Sequence, residues 1–344
     1  MENNFLYDNQ TRSYSNTCVH LSKVDVQPTL IDLIKTLPVG SKKLYYDYQT
    51  YKNIRDASKT KINAWCKLEH HIPRRQKEQQ KKFLLDVKKV AVPVALMSIP
   101  MIGNFFAIFV AVDPRFFLSD QFFTEEQVRY FVSKEYNERK VYFSSCAIDV
   151  EELFSITISA SKPGGTVGSM DNSKYITGSV IENVMPLYSL FQDQYSAKKK
   201  GTHQNDAQLS RNNILNIAFS SWLASPILWV QPSKLIKRKL DALAKDIIED
   251  DIMLIHEKHH LNSCSLLTSS EVLDACSKRS LPCAIDQSVD AMRESLTSHL
   301  LIMEKILDKV GHAGLQSKEA EHFVLYLPTI QHELEKFEAI RTAK

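Results

Sequence analysis

The chain has 344 residues, with 43 Lys and Arg against 40 Asp and Glu and a formal net charge of +3. That balance is too even to mark the whole chain as a binder of nucleic acid, DNA included, so any such signal rests on local clusters. The six cysteines, Cys18, Cys66, Cys146, Cys264, Cys276 and Cys283, are spread thinly and make no C-x-x-C pair, which suggests neither a disulfide scaffold nor a zinc ribbon and fits a reducing compartment.

The first 21 residues, MENNFLYDNQTRSYSNTCVHL, lack the apolar run of a secretory signal, and Glu2 and Asp8 make a poor organelle transit peptide. Either targeting is internal, using the apolar span and its basic flank described below, or the start is atypical or incomplete. Residues 1–40 read as a disordered or targeting region with a short helix near Pro28–Leu37, and residues 41–89 as basic amphipathic helices. In the first of these, Leu44, Tyr48, Tyr51 and Ile54 recur at three to four residues, opposite Lys and Arg. Such a helix suits docking on the rest of the protein or lying on an anionic membrane surface. Pro73 then opens RRQKEQQKKFLLDVKK. Arg74, Arg75, Lys81, Lys82, Lys88 and Lys89 are candidate contacts for anionic headgroups such as cardiolipin, at about 1 kcal/mol per basic residue near a surface, or they only orient insertion.

Residues 90–112, VAVPVALMSIPMIGNFFAIFVAV, hold no charge. As a helix this stretch would reach about 35 Å, enough for a hydrocarbon core of about 30 Å. Soluble core helices are rarely apolar on every face for so long, so the reading is a transmembrane helix. Pro93, Pro100, Gly103 and Asn104 interrupt it, which predicts a kink near Pro100. Asn104 either bonds across to another helix in a homo-oligomer, lines a cation path, or caps a local break. Phe116, Phe117, Phe122 and Phe123 follow and could form the far interfacial belt.

Residues 113–310 read as a helical body and 311–344 as a C-terminal helix, with no strand-rich region, so the fold class is all-α. Thr124 with Gln127 forms a capping box for a helix through about Asn137, followed by a second helix or irregular chain to Ile158. Residues 159–178 and the polar segment near 196–211 read as loops. GGTVGS in the first is too short for a phosphate loop and lacks its Lys-Ser/Thr ending. NILNIAFSSWLA reads as an apolar helix, and another begins near Pro232, where Ile236, Leu240, Leu243 and Ile247 share a face. Lys234, Lys237, Arg238 and Lys239 lie mostly off that face. Asp250 and Asp251 are read as caps of a next short helix, IMLIHEK. Thr268 and Glu271 form a capping box, with Leu267 and Val272 as the staple, and two last helices span about Asp286–Val310 and Ser317–Thr342.

Two blocks carry a resemblance. The first is FLLDVKKVAVPVALMSIPMIGNFFAIFVAVDPRFFLSDQFFTEEQ. The second runs from Lys234 to Leu281 and contains Leu240, Asp250, Asp251, Leu254, Ile255, Glu257, Leu267, Glu271, Ala275, Cys276 and Arg279. In order and spacing they resemble the mitochondrial leucine-zipper, EF-hand-containing transmembrane proteins, the LETM family. The chain departs from that pattern at Glu257-Lys258, where the family has Glu-Gly, and at Arg279-Ser280, where it has Arg-Gly. No long coiled coil and no D-x-D-x-D-G calcium loop is present, so it looks like the short, cervical-cancer-receptor type of member and no EF-hand is carried over.

The resemblance implies a single kinked transmembrane helix followed by a 14-3-3-like helical body, in a mitochondrial inner-membrane protein that contacts mitochondrial ribosomes and supports cation balance and respiratory-complex biogenesis. The alternative is a component of potassium–proton or calcium–proton exchange, which a single span could serve only as an oligomer or with another partner. For a ribosome contact, Lys234, Lys237, Arg238 and Lys239 are the candidate phosphate-binding residues. The basic flank before the span predicts the N-terminal side in the matrix. The resemblance puts the larger C-terminal domain there, and that orientation is the expectation adopted. No catalytic arrangement stands out, so the chain reads as a non-enzyme without cofactor. His256, His259, His260 and Cys264 sit close enough to suggest zinc, but no second ligand pair accompanies them, and no metal is expected.

Overall fold

A computed structural model describes residues 30–62, 74–97, 99, 114, 118–154, 187–189, 191–193, 210–221, 228, 230–261, 267–315 and 317–342. These residues are mostly helical, with no strand among them. In order they form α1 (Leu30–Ile62), α2 (Arg74–Met97), a 3₁₀ turn (Asp120–Phe122), α3 (Glu125–Phe154), α4 (Arg211–Ser220), α5 (Ser233–Leu261), α6 (Ser269–Lys278), α7 (Val289–Leu315) and α8 (Lys318–Thr342).

Helices α3 to α8 bury one apolar cluster. On α5 the stripe Ile236, Leu240, Ala244, Ile247, Ile248, Leu254 and Ile255 faces inward, and Leu243 packs at its edge. Helix α8 contributes Phe323, Val324, Leu325, Tyr326, Leu327 and Ile330. Leu187, Tyr188 and Phe191 close the cluster, with both aromatic residues edge-on to Phe323 at 5.1 and 5.6 Å. Burying side chains of this size contributes roughly 1.5–3 kcal/mol each. The local signals set the helix starts. Thr124 and Gln127 bond reciprocally at 3.0 and 3.2 Å, and Thr268 and Glu271 form a complete capping box.

Three expected boundaries differ. Helix α3 runs unbroken to Phe154, because Phe143, Cys146, Ala147 and Val150 continue a buried stripe past Asn137. Helix α1 continues through Pro38. Its Gly40 lies against Phe122, whose ring would stand 2.3 Å from an added Cβ, so the close approach itself requires glycine. Helix α5 runs through Asp250 and Asp251 without a break, so these are not caps.

Helix α1 docks rather than lying free. Tyr51 stacks on Phe83 of α2 at 5.0 Å and Tyr48 approaches the same ring at 6.2 Å. Phe122 and Phe123, expected at a lipid boundary, are each only 4% exposed. Phe122 packs on Gly40, and Phe123 meets Phe131 edge-on at 5.2 Å. Among the described residues no helix is long and apolar enough to cross a membrane. Of the expected span, residues 90–97 continue α2, with Pro93 inside the helix, while Pro100, Gly103 and Asn104 lie outside the described residues.

Candidate nucleic-acid interface and the charge network behind it

Where α4 and α5 begin, five basic residues gather. Lys234, Arg238 and Lys239 are exposed on the first two turns of α5, and Lys237 is half-buried beside Asp241. Lys239 Nζ donates to Gln231 Oε1 at 2.9 Å. Among the described residues none of these four forms an ion pair. The structure adds Arg211, the first residue of α4. Its Nη1 donates to the Gln231 carbonyl and to Ser233 Oγ, both at 3.1 Å, which ties the two helix starts together. Both helix N-termini bring unpaired amide donors and the positive end of a helix dipole to the same corner. Cations grouped beside such termini suit phosphate oxygens. Arg211 lies 23 positions before Lys234 in sequence, so only the fold brings it here; a basic residue opening a helix just after a capping Ser210 is the one local hint.

Further along α5 the charge is buried instead. Asp250 and Asp251 are 1% and 0% exposed. Arg279 donates from Nε to Asp251 Oδ1 at 2.7 Å and from Nη2 to Asp250 Oδ2 at 2.6 Å, and its Nη1 reaches the Ala275 carbonyl at 3.0 Å. Arg74 of α2 grips the other side of Asp250 through Nε and Nη2 at 2.6 and 3.2 Å. His299 Nε2 stands 3.2 Å from Asp251 Oδ2. Two carboxylates and two guanidiniums thus balance in a buried site. Burial alone would push both carboxyls up. The guanidinium of Arg279 overrides it, with Arg74 at Asp250 and His299 at Asp251, and holds both below the usual carboxylate range.

The residues expected at lipid headgroups sit largely on this network's rim. Arg74 is inside it. Arg75 pairs with Glu271 at 2.9 Å, and Lys82 with Asp274 at 2.8 Å. Lys81 pairs with Asp246, which also holds Lys278 at 2.6 Å. Lys77 adds Glu249 at 2.8 Å. Arg74, Arg75, Lys81 and Lys82, four of the six residues expected at headgroups, thus face acids of α5 and α6. Lys88 and Lys89 stand beyond them on α2 and form no ion pair among the described residues; Lys88 is exposed. On the same helix, Asp86 is buried beside Asp120, and burial, then that like charge, push its carboxyl up to about 6. Gln121 Nε2 bridges Asp86 and Asp47.

His256 is exposed, while the side chains of His259, His260 and Cys264 lie outside the described residues, as does GGTVGS. Among the described residues no group of His, Cys, Asp and Glu is placed to hold a metal ion. Cys146, Cys276 and Cys283 are buried and unbridged. Burial pushes the Cys146 thiol up to about 12, far from a reactive thiolate.

The family described as LETM1-like, RBD, a ribosome-binding domain, matches residues 72–309. That interval takes in α2, the basic corner and the whole buried network. No curated protein and no solved structure matches the chain.

Proposed function

The chain belongs to the LETM1-like ribosome-binding-domain family, and from that premise we propose that it is a mitochondrial inner-membrane protein whose helical body contacts the mitochondrial ribosome through the corner formed by Arg211, Lys234, Lys237, Arg238 and Lys239. The family match carries the reading. The exposure of Arg211, Lys234, Arg238 and Lys239 at two helix starts supports it, because accessible cations can neutralise phosphates and release their counterions. In this reading residues 90–112 form the kinked span, with the break at Pro100, and the body, of 14-3-3-like type, lies in the matrix. Lys88 and Lys89 meet anionic lipid such as cardiolipin. The protein supports cation homeostasis and respiratory-complex biogenesis by holding ribosomes at the membrane.

The test is co-sedimentation of the detergent-solubilised full chain with mitochondrial ribosomes across a salt series. Binding weakens as salt rises, and replacing Lys234, Lys237, Arg238 and Lys239 by Glu abolishes it. Unchanged pelleting of that variant would remove the corner from the interface.

A further inference from the structure

Helices α1 and α2 run antiparallel where they touch. Tyr51 stacks on Phe83, and about one turn further on Gln121 bridges Asp47 of α1 and Asp86 of α2. Going back along α1 from Tyr51 to Asp47 thus follows α2 forward from Phe83 to Asp86. Past the bridge both helices continue the same way, α1 toward Leu30 and α2 toward Met97. Gly40, Leu44, Asp47 and Tyr51 share the docked face of α1, and Val39, Lys42, Tyr45 and Tyr46 lie on the opposite one. All four of the latter are exposed.

The two helices change character at the same height. At about 1.5 Å per residue, Lys88 and Lys89 stand about 3–5 Å past the bridge, and Lys43 and Lys42 about 6–8 Å past it. Beside these lysines Tyr45 and Tyr46 are 58% and 53% exposed, with Lys42 Nζ 5.9 Å from the centre of the Tyr46 ring. Further out α2 carries no charge from Val90 to Met97, and α1 presents Val39, 56% exposed, followed by Leu37. Val39 and Ala95 come level, at about 12 and 14 Å past the bridge. From Lys35 to Tyr46 α1 holds three Lys and no acid. Exposed apolar side chains are ordinary one by one; a basic, aromatic and then apolar order that matches the neighbouring helix is not.

We infer that the outer face of α1, Val39 with the belt of Lys42, Tyr45 and Tyr46, is a second lipid contact, seated at the headgroup boundary of an anionic bilayer beside the apolar end of α2. The inference rests on the proposed membrane segment and extends lipid contact to a helix outside it. Tyrosine rings settle at headgroup level, with the apolar body inward and the hydroxyl in water. Lysine stems lie along apolar surface while the ammonium reaches a lipid phosphate. An anionic surface adds attraction for each basic residue near it, and no acid between Lys35 and Tyr46 opposes that. RNA or an acidic protein would also meet these lysines. Lipid is favoured because the apolar residues lie beyond the lysines, level with the apolar half of α2.

The test places the photo-crosslinker benzoylphenylalanine in the full chain at Val39, at Ala95 or at Asn53, all exposed positions. Asn53 lies on the same face as Val39 and Tyr46, about 21 Å from Val39 toward the body. Each protein is reconstituted into vesicles of phosphatidylcholine and cardiolipin carrying a fluorescent phosphatidylcholine, and the lipid adduct is read after illumination. Adducts are expected at Val39 and Ala95, and an adduct at least about fivefold weaker at Asn53. K42E with K43E is expected to lower the Val39 adduct at least about threefold and to leave the Ala95 adduct as it was. An adduct at Ala95 with none at Val39 would overturn the inference and leave the membrane segment standing. No adduct at either position would remove the membrane segment as well. Equal adducts at Asn53 and Val39, or a Val39 adduct unmoved by K42E with K43E, would also overturn the inference.

Discussion

Helix α5 carries a basic cluster on its first two turns and an acidic pair further along, and the two are treated in opposite ways. Lys234, Arg238 and Lys239 stand in water, whereas Asp250 and Asp251 are sealed inside with Arg279, Arg74 and His299 around them. The difference lies in whether the rest of the chain delivers counter-charges. A buried ion is tolerated only when its partners arrive with good geometry. Here they come from α2, α6 and α7, so the pair ties α5 to three other helices. The basic cluster receives no such partners and keeps its charges available to something outside.

The comparison breaks first at the acids. Asp251→Ala leaves Arg279 buried with one of its two carboxylates, and a loss of about 3–5 kcal/mol is expected in urea unfolding. A loss under about 1 kcal/mol would mean the network is not holding α5. Acid tests the same pair without mutation. Both carboxyls titrate lower in the folded protein than in the unfolded chain, where Asp titrates near 4. The unfolded chain therefore binds more protons below about pH 5, so the stabilisation is complete above that pH, begins to fall near 4 and is lost as pH drops on through the lower folded values. A drop on the order of 2 kcal/mol between pH 5 and pH 3 is the expected result. A flat profile would contradict the pairing. At the other cluster, Lys234→Ala with Arg238→Ala should move stability by no more than about 0.5 kcal/mol, because exposed charges without partners contribute little. A larger loss would show that these side chains serve the fold rather than a partner.

Much of the bundle was legible from periodicity and caps. The face Ile236, Leu240, Leu243 and Ile247, both capping boxes and the last two helices lie where the apolar spacing put them, with α7 and α8 at Val289–Leu315 and Lys318–Thr342. The acids were misread because a carboxylate before an apolar run also signals a helix start. Their register held the correction: continuing Leu240, Ala244, Ile247 by three to four residues lands on Asp251 and then Leu254. An acid on a core stripe demands a cation, but Arg74 lies 176 residues from Asp250, which no local pattern reveals. The same distance hid the engagement of Arg75, Lys81 and Lys82. At Ser280, where the resemblance points to glycine, the backbone is of the kind that favours glycine. Its φ is 52°, the left-handed region that glycine enters without strain. Serine is held there by its hydroxyl, which donates to the Ser220 carbonyl at 3.0 Å and accepts from Arg139 at 3.4 Å. In the basic corner, four of the five residues were visible as a run in sequence, and Arg211 was not.

Helix α2 is continuous from Arg74 to Met97, and its opening turns are clamped to α5 and α6 by Arg74, Arg75, Lys77, Lys81 and Lys82. A helix advances about 1.5 Å and rotates about 100° with each residue. The clamp therefore sets both the azimuth and the height at which Val90 to Met97 leave the bundle. One residue inserted between Leu85 and Lys88 would spare every clamp contact, yet swing the distal half through more than a quarter of a turn. The bundle and the apolar end of α2 are thus indexed to each other like two gears on one shaft.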